Sequence, residues 1–297
     1  MVELWPAPEE CGLPVASDIL PRVEGWIEEV GGIEQAFKIV GTILLYSGPL
    51  QEIYDTYIDI ADRNHTKAYD LLELSDKKYT LLDETEIGHR LGDYDGKGSS
   101  IYNHLKAIYI AKYEAISGKE LTEDQIKQAQ ALASAEANLV MTHVSEMFAV
   151  AAQGDVETCV CGADLEKVFF TTELPALMNN KRITAINGVD IEKYRKIYFS
   201  GDEDAKYATF TLICKQELAL MHERALSASG DKAEFLMDDY STRRLFFEME
   251  QNITAAKLRE TAVEKMEETK ATIEGSIPTR PAKAGKIIPI KKTASLR

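Results

Sequence analysis

From Leu50 to Leu82 the chain keeps a single apolar stripe for more than thirty residues with no proline or glycine. Leu50, Ile53, Tyr54, Tyr57, Ile58, Ala61, His65, Ala68, Leu72, Tyr79 and Leu82 recur mostly at steps of three and four. That spacing predicts one helix roughly 45–50 Å long. So long a helix buries its stripe only against others like it. The expected fold class is therefore mainly α, a bundle of long helices with a small β-containing insertion and extended terminal arms.

The remaining elements follow from caps and breakers. Residues 1–16, rich in proline and acid, read as an N-terminal arm, and residues 17–154 as the helical body. Within the body, Asp18 is placed to cap a first helix that carries Pro21 in its first turn and ends at Gly31-Gly32. A second helix is expected from Ile33 to Ser47, apolar on most sides. A short helical turn through Ile87 and His89 precedes the loop Gly92 to Ser100. Ser99 or Ser100 caps the helix Ile101 to Ser117, whose inward stripe reads as Ile101, Leu105, Ile108, Ala111 and Ala115, beside a second stripe of Tyr102, Tyr109, Tyr113 and Ile116. Thr122 and Gln125 form a capping box for a helix running to about Gln153, and Ala129, Ala133 and Ala137 on it invite close approach by a neighbour.

Residues 155–203 read as a mixed insertion. There Asn187-Gly188 joins Arg182–Ile186 to Val189–Ile191 as a candidate hairpin. Residues 204–275 return to helix, the last from about Ser241 to Glu274, and its final part, from Lys257, is charged nearly all round. Residues 276–297 form a basic, proline-containing tail with Arg280, Lys283, Lys286, Lys291, Lys292 and Arg297 and no acidic residue.

The charge balance narrows the partners. The formal net charge is −15. Taking the six tail residues from the chain's 34 Lys and Arg leaves 28 against 49 acidic side chains, a body of net −21. An acidic body argues against general nucleic-acid binding, so contact with phosphate would be confined to the tail. The tail is expected to lie on an acidic protein surface or on nucleic acid. Nine of the thirteen tyrosines fall between Tyr46 and Tyr113, and Tyr54, Tyr57 and Tyr69 on the long stripe suit a protein interface as well as a mixed core. The longest apolar run, Ala36 to Leu45, is too short for the ~20 residues of a membrane span. The first residues show no basic-then-apolar leader pattern and read as a mature N-terminus.

Chemistry-bearing motifs are incomplete wherever they begin. In Asp93-Tyr94-Asp95-Gly96-Lys97-Gly98, Lys97 stands where a calcium loop needs an oxygen ligand, and Gly98 where a phosphate loop needs Ser or Thr. A ferritin-like di-iron centre needs two Glu-x-x-His motifs. Glu86-Ile87-Gly88-His89 supplies one; Asp62 with His65 is a poorer match, and His143 with Glu146 runs in reverse. Cys159 and Cys161 lack the Cys-x-x-Cys spacing of zinc sites, and the sequence leaves them paired, free or metal-bound. No Gly-x-Ser-x-Gly elbow occurs. No cofactor, metal or catalytic residue is assigned. Four scattered cysteines imply a reducing compartment.

The stretch Ile60 to Gly88, a helix of spaced Ala, Tyr and Leu leading through an acidic turn towards a Gly-rich loop, resembles helices in internal and neck virion proteins of tailed bacteriophages. The resemblance implies a non-enzymatic structural or assembly protein in the virion or host cytoplasm. It would act in many copies, through self-association or with other virion proteins, using helix surfaces and terminal arms. The alternatives are an enzyme or toxin with a site within residues 155–230 and a metal-binding helical bundle.

Overall fold

A computed structural model describes residues 6–48, 53 and 77–276. The chain is mainly α-helical and carries a small five-stranded sheet. In chain order the elements are α1 (Ala16–Glu29), α2 (Ile33–Ala36), β1 (Thr42–Tyr46), β2 (Tyr79–Thr80), α3 (Glu86–Gly92), α4 (Ile101–Ser117), α5 (Glu123–Ala151), β3 (Gly154–Cys159), α6 (Leu174–Asn179), β4 (Ile183–Ile186), β5 (Val189–Asp190), α7 (Ile191–Tyr198), α8 (Ala205–Ser227) and α9 (Asp231–Ser276). The chain divides into two compact units between Gln251 and Asn252. The sheet lies wholly in the first.

The sheet runs β2-β1-β3-β4-β5, with β2, β1, β3 and β4 mutually parallel and β5 antiparallel to β4. Ile43 stands opposite both Thr80 and Val156. Successive side chains of β1 enter different cores. Ile43 and Leu45 join the main core with Val156, Phe148 and Phe37. Leu44 joins a smaller one with Cys159, Met221, Ala225 and Leu236, contributed by β3, α8 and α9. Helices thus cover both faces, as a parallel sheet requires.

This overturns the expected helix over Ile33–Ser47. Only Ile33–Ala36 is helical, and Thr42–Tyr46 is the central strand. A short apolar run buried on two sides satisfies helix and strand patterns alike, and parallel partners on both edges decide for strand. Gly41 starts that strand at φ 92°, and a Cβ there would come within 2.1 Å of the Lys78 carbonyl oxygen. The long helix expected over Leu50–Leu82 is corrected at its end for the same reason: Tyr79–Thr80 is β2 and Leu82–Glu84 a 3-10 turn. Residues 54–76 of that helix, with Tyr54, Tyr57 and Tyr69, lie outside the described residues.

Elsewhere local chemistry set the structure. Ser100 caps α4, Gly118 closes it at φ 66°, and Thr122 with Gln125 forms the capping box of α5. Ala129, Ala133 and Ala137 are fully buried, and α4 packs along α5. The buried stripe of α4 is Ile101, Leu105, Tyr109 and Tyr113, so the inward face starts on the expected stripe and passes to the tyrosines of the adjoining one in place of Ile108, Ala111 and Ala115. The hydroxyls of Tyr109 and Tyr113 donate to the carbonyls of Pro14 and Pro6, at 3.0 and 3.2 Å, which satisfies the phenols and fastens the N-terminal segment. Asp18 lies inside α1 rather than capping it, and its carboxylate accepts the Val15 N–H at 3.1 Å. Pro21 accordingly falls beyond the first turn. The hairpin forms as expected, with Asn187 at φ 51° and Gly188 at φ 74°. The last helix starts ten residues earlier than the charge pattern indicated, at Asp231 instead of Ser241.

The loop after β3 is held by a close approach. Gly162 has φ 78°, and a Cβ on it would sit 2.6 Å from the Phe246 Cβ. Gly162→Ala is therefore expected to destabilise the first unit by about 2–4 kcal/mol, combining left-handed strain with overpacking. A fall in the urea midpoint at unchanged slope would show it.

Candidate functional site

The strand order creates a place where connections diverge. From β1 the chain leaves towards β2 on one side, and from β3 towards β4 on the other. In open parallel sheets ligands bind beyond the carboxyl ends of the strands at such a switch point. Here the ends of β1 and β3 are tied together, Ser47 N–H donating to the Cys159 carbonyl at 3.2 Å and Asp164 N–H to the Gly48 carbonyl at 3.3 Å.

A cavity of about 290 Å³ opens at this position. Its walls come from the end of β1 (Leu44 to Gly48), from Leu82 and Asp83 after β2, from Lys167 and Val168 after β3, and from Met141, Ser145 and Phe148 on α5. Tyr102 and Glu173 complete it. The lining is largely apolar with a few polar groups, the usual make-up of a small-molecule site. The Tyr46 hydroxyl donates to the Asp83 carboxylate at 2.5 Å and so orients both side chains on the cavity wall.

Glu173 is the unusual member. It ends a π-helical turn, Phe169–Glu173, that leads into α6. Such wide turns occur mostly as local features at functional sites. The side chain is 6% exposed, and its Oε2 is buried without a hydrogen-bond partner. Burial pushes its pKa up to about 8, against a smaller opposing pull from the Ser145 hydrogen bond. Glu173 is then a neutral carboxylic acid at pH 7, able to donate a proton. Lys167, exposed at the rim, supplies a positive charge.

Two further charged clusters brace the same strands. Glu217 on α8 accepts from Thr158 Oγ1 and the Val160 N–H at 2.8 Å and the Cys161 N–H at 3.4 Å. Arg243 on α9 completes the set, with Nη1 2.8 Å from Glu217 and Nε 3.0 Å from Asp239. All three charged residues are buried at about 1% exposure. On the smaller-core side, Glu157 accepts from Lys77 (2.5 Å), Tyr79 (2.7 Å) and Arg224 (2.8 Å). Burial alone would raise its pKa, but these partners together hold it below the ordinary carboxylate value.

Of the motifs singled out in the sequence, Asp62 and His65 lie outside the described residues, and Glu86, Asp93, Asp95, His143, Cys159 and Cys161 do not line this cavity. In the Gly-rich loop Asp93 Oδ1 accepts the Gly98 N–H, and Asp95 Oδ1 the N–H groups of Lys97 and Ser99, so these carboxylates shape the loop itself. Glu86 pairs with Arg90. None of the four cysteines is joined in a disulfide, and three of them are buried. Among the described residues no three His, Cys, Asp or Glu side chains converge as a metal site would need, and no helix is long and apolar enough to cross a membrane. Arg280, Lys283, Lys286, Lys291, Lys292 and Arg297 lie outside the described residues.

Sequence reasoning missed Tyr46, Asp83, Ser145, Lys167 and Glu173 as one group because nothing in their spacing joins them; only the strand order does. Glu173 does fall within residues 155–230, the segment named above as the alternative enzyme region. Comparison with protein-family models, with curated proteins and with solved structures finds no match.

Proposed function

We propose that the protein binds a small organic molecule at the carboxyl ends of β1, β2 and β3 and acts on it through Glu173 as a hydrogen-bond and proton donor. The observation that carries this reading is the buried Glu173 carboxyl with an oxygen that lacks a partner, in the wall of a cavity at the sheet's switch point. Buried polar atoms are seldom left unpaired, and a ligand oxygen is a natural complement to a neutral acid. Most of the wall around the donor is apolar, and the Tyr46–Asp83 hydrogen bond holds two further side chains of the lining. The candidate reaction is general-acid assistance, with the proton passing from the Glu173 carboxyl to an acceptor oxygen on the ligand.

Acetophenone, a ring with one acceptor oxygen, is a suitable probe. With methyl-13C labelling of Leu and Val, titration at pH 6 is expected to shift Leu44, Leu45 and Val168 saturably. The shifts should weaken as the pH passes about 8, where Glu173 loses its proton. Unmoved methyls up to the probe's solubility limit would refute the reading.

A second reading, assembly as a tailed-phage virion component through self-association or other virion proteins, draws support from α9. This helix is 46 residues long, and the division between the two compact units falls within it. It predicts multiple copies per particle in light scattering; a strict monomer at high concentration speaks against it.

A further inference from the structure

Two polar groups in the wall of the switch-point cavity have no partner among the described residues. One is Glu173 Oε2, buried and unpaired. The other is the Lys167 ammonium, which makes neither a hydrogen bond nor an ion pair there. The acids nearest to it in sequence do not supply one, since Asp164 Oδ1 accepts the Glu166 N–H at 2.9 Å and neither acid lines the cavity. Both groups belong to one connection, the segment between β3 and α6. Lys167 stands just before the helical turn that Glu173 ends, so the two lie six positions apart. At ~1.5 Å of rise per helical residue that is about 9 Å or less along the segment, the length of a ring with a polar group at each end. Leu44, Leu45, Met141, Phe148 and Val168 supply apolar wall around them.

We infer that the ligand of this cavity is a small oxo acid, with its carboxylate paired to Lys167, its apolar body against the leucine, methionine and phenylalanine side chains, and its carbonyl oxygen accepting from Glu173. This rests on the binding reading above and gives its ligand class. A carboxylate and an ammonium join through a charge-assisted hydrogen bond. Lys167, exposed at the rim, also draws an anion to the opening of a chain whose formal net charge, −15, repels it elsewhere. A cation finds no complement in the same wall. Glu173 is neutral at pH 7, and Asp83 is already engaged by groups of the protein, the Tyr46 hydroxyl among them. A carbonyl oxygen accepts without donating, which matches a protonated carboxyl.

The probe is 4-acetylbenzoate, set against its uncharged amide, 4-acetylbenzamide, and against 4-ethylbenzoate, which keeps the carboxylate and lacks the carbonyl oxygen. Leu44, Leu45 and Val168 methyls report binding at pH 6, as for acetophenone. 4-Acetylbenzoate is expected to bind about threefold more tightly than the amide, the scale of a solvent-accessible ion pair, and the advantage should shrink as salt is raised. 4-Ethylbenzoate should bind more weakly than 4-acetylbenzoate. Lys167→Met keeps the apolar stem at an exposed position and removes the charge. The ratio of acid to amide affinity should fall to about one in that variant and return in Lys167→Arg.

If the acid binds no more tightly than the amide, or the ratio survives Lys167→Met, the anionic end of the ligand is wrong while acetophenone binding stands. If 4-ethylbenzoate matches 4-acetylbenzoate, Glu173 does not receive the carbonyl oxygen and the oxo-acid class is overturned. If no methyl moves with any probe, acetophenone included, the underlying binding reading fails as well.

Discussion

Arg243→Leu is expected to cost the first unit about 3–5 kcal/mol, enough to leave much of it unfolded at room temperature. The guanidinium is the cation in contact with two buried carboxylates, Glu217 and Asp239. Leucine would remove it and leave the two acids facing each other out of water. Glu217 also anchors the end of β3 through Thr158, Val160 and Cys161, so the damage would reach the cavity wall. Chemical denaturation of the variant beside the parent measures this. The triple change Arg243→Leu, Glu217→Gln and Asp239→Asn should recover much of the loss, because removing all three charges costs less than stranding two. A single variant as stable as the parent would show that the cluster contributes nothing.

Glu173 is expected to dominate the pH dependence of stability in neutral solution. Its pKa in the folded protein, about 8, stands above the ordinary 4.5, so the folded state binds the proton more tightly than the unfolded chain does. The stabilisation this gives is fully present below about pH 4.5 and is lost as the pH rises through about 8. At its steepest the loss amounts to about 1.4 kcal/mol per pH unit. Glu173→Gln keeps the shape and cannot ionise. Its stability should be flatter over that interval and should exceed the parent's at pH 9. Urea titrations of both proteins across the range test this; parallel curves would place the Glu173 pKa in the ordinary range and remove the neutral donor from the proposed site.

The helices that could be read from the sequence were those whose ends are set locally. Ser100 and Gly118 mark α4, Thr122 and Gln125 start α5, and Asn187-Gly188 turns the hairpin, each through a contact made within a few residues. The strands could not be read in this way. Thr42–Tyr46 and Tyr79–Thr80 are too short to show a period, and they pair with each other across more than thirty residues while Thr42–Tyr46 also needs β3, far along the chain. The helical pattern around Tyr109 was visible, yet that the buried face would join Ile101 and Leu105 of one stripe to Tyr109 and Tyr113 of the other depended on the N-terminal carbonyls the tyrosines reach. The cavity is less legible still. Its polar groups come from five separate stretches, and the topological fact that brings the strand ends among them together, the order β2-β1-β3, has no trace in residue spacing.

That same strand order bears on how the chain is made. Ile43 cannot find Val156 until the whole of α4 and α5 has left the ribosome, so the first central strand emerges long before the partner on its inner edge. Until then β1 has β2 alone as a partner and its inner edge stays open, a state that favours slow maturation and protection by chaperones during synthesis.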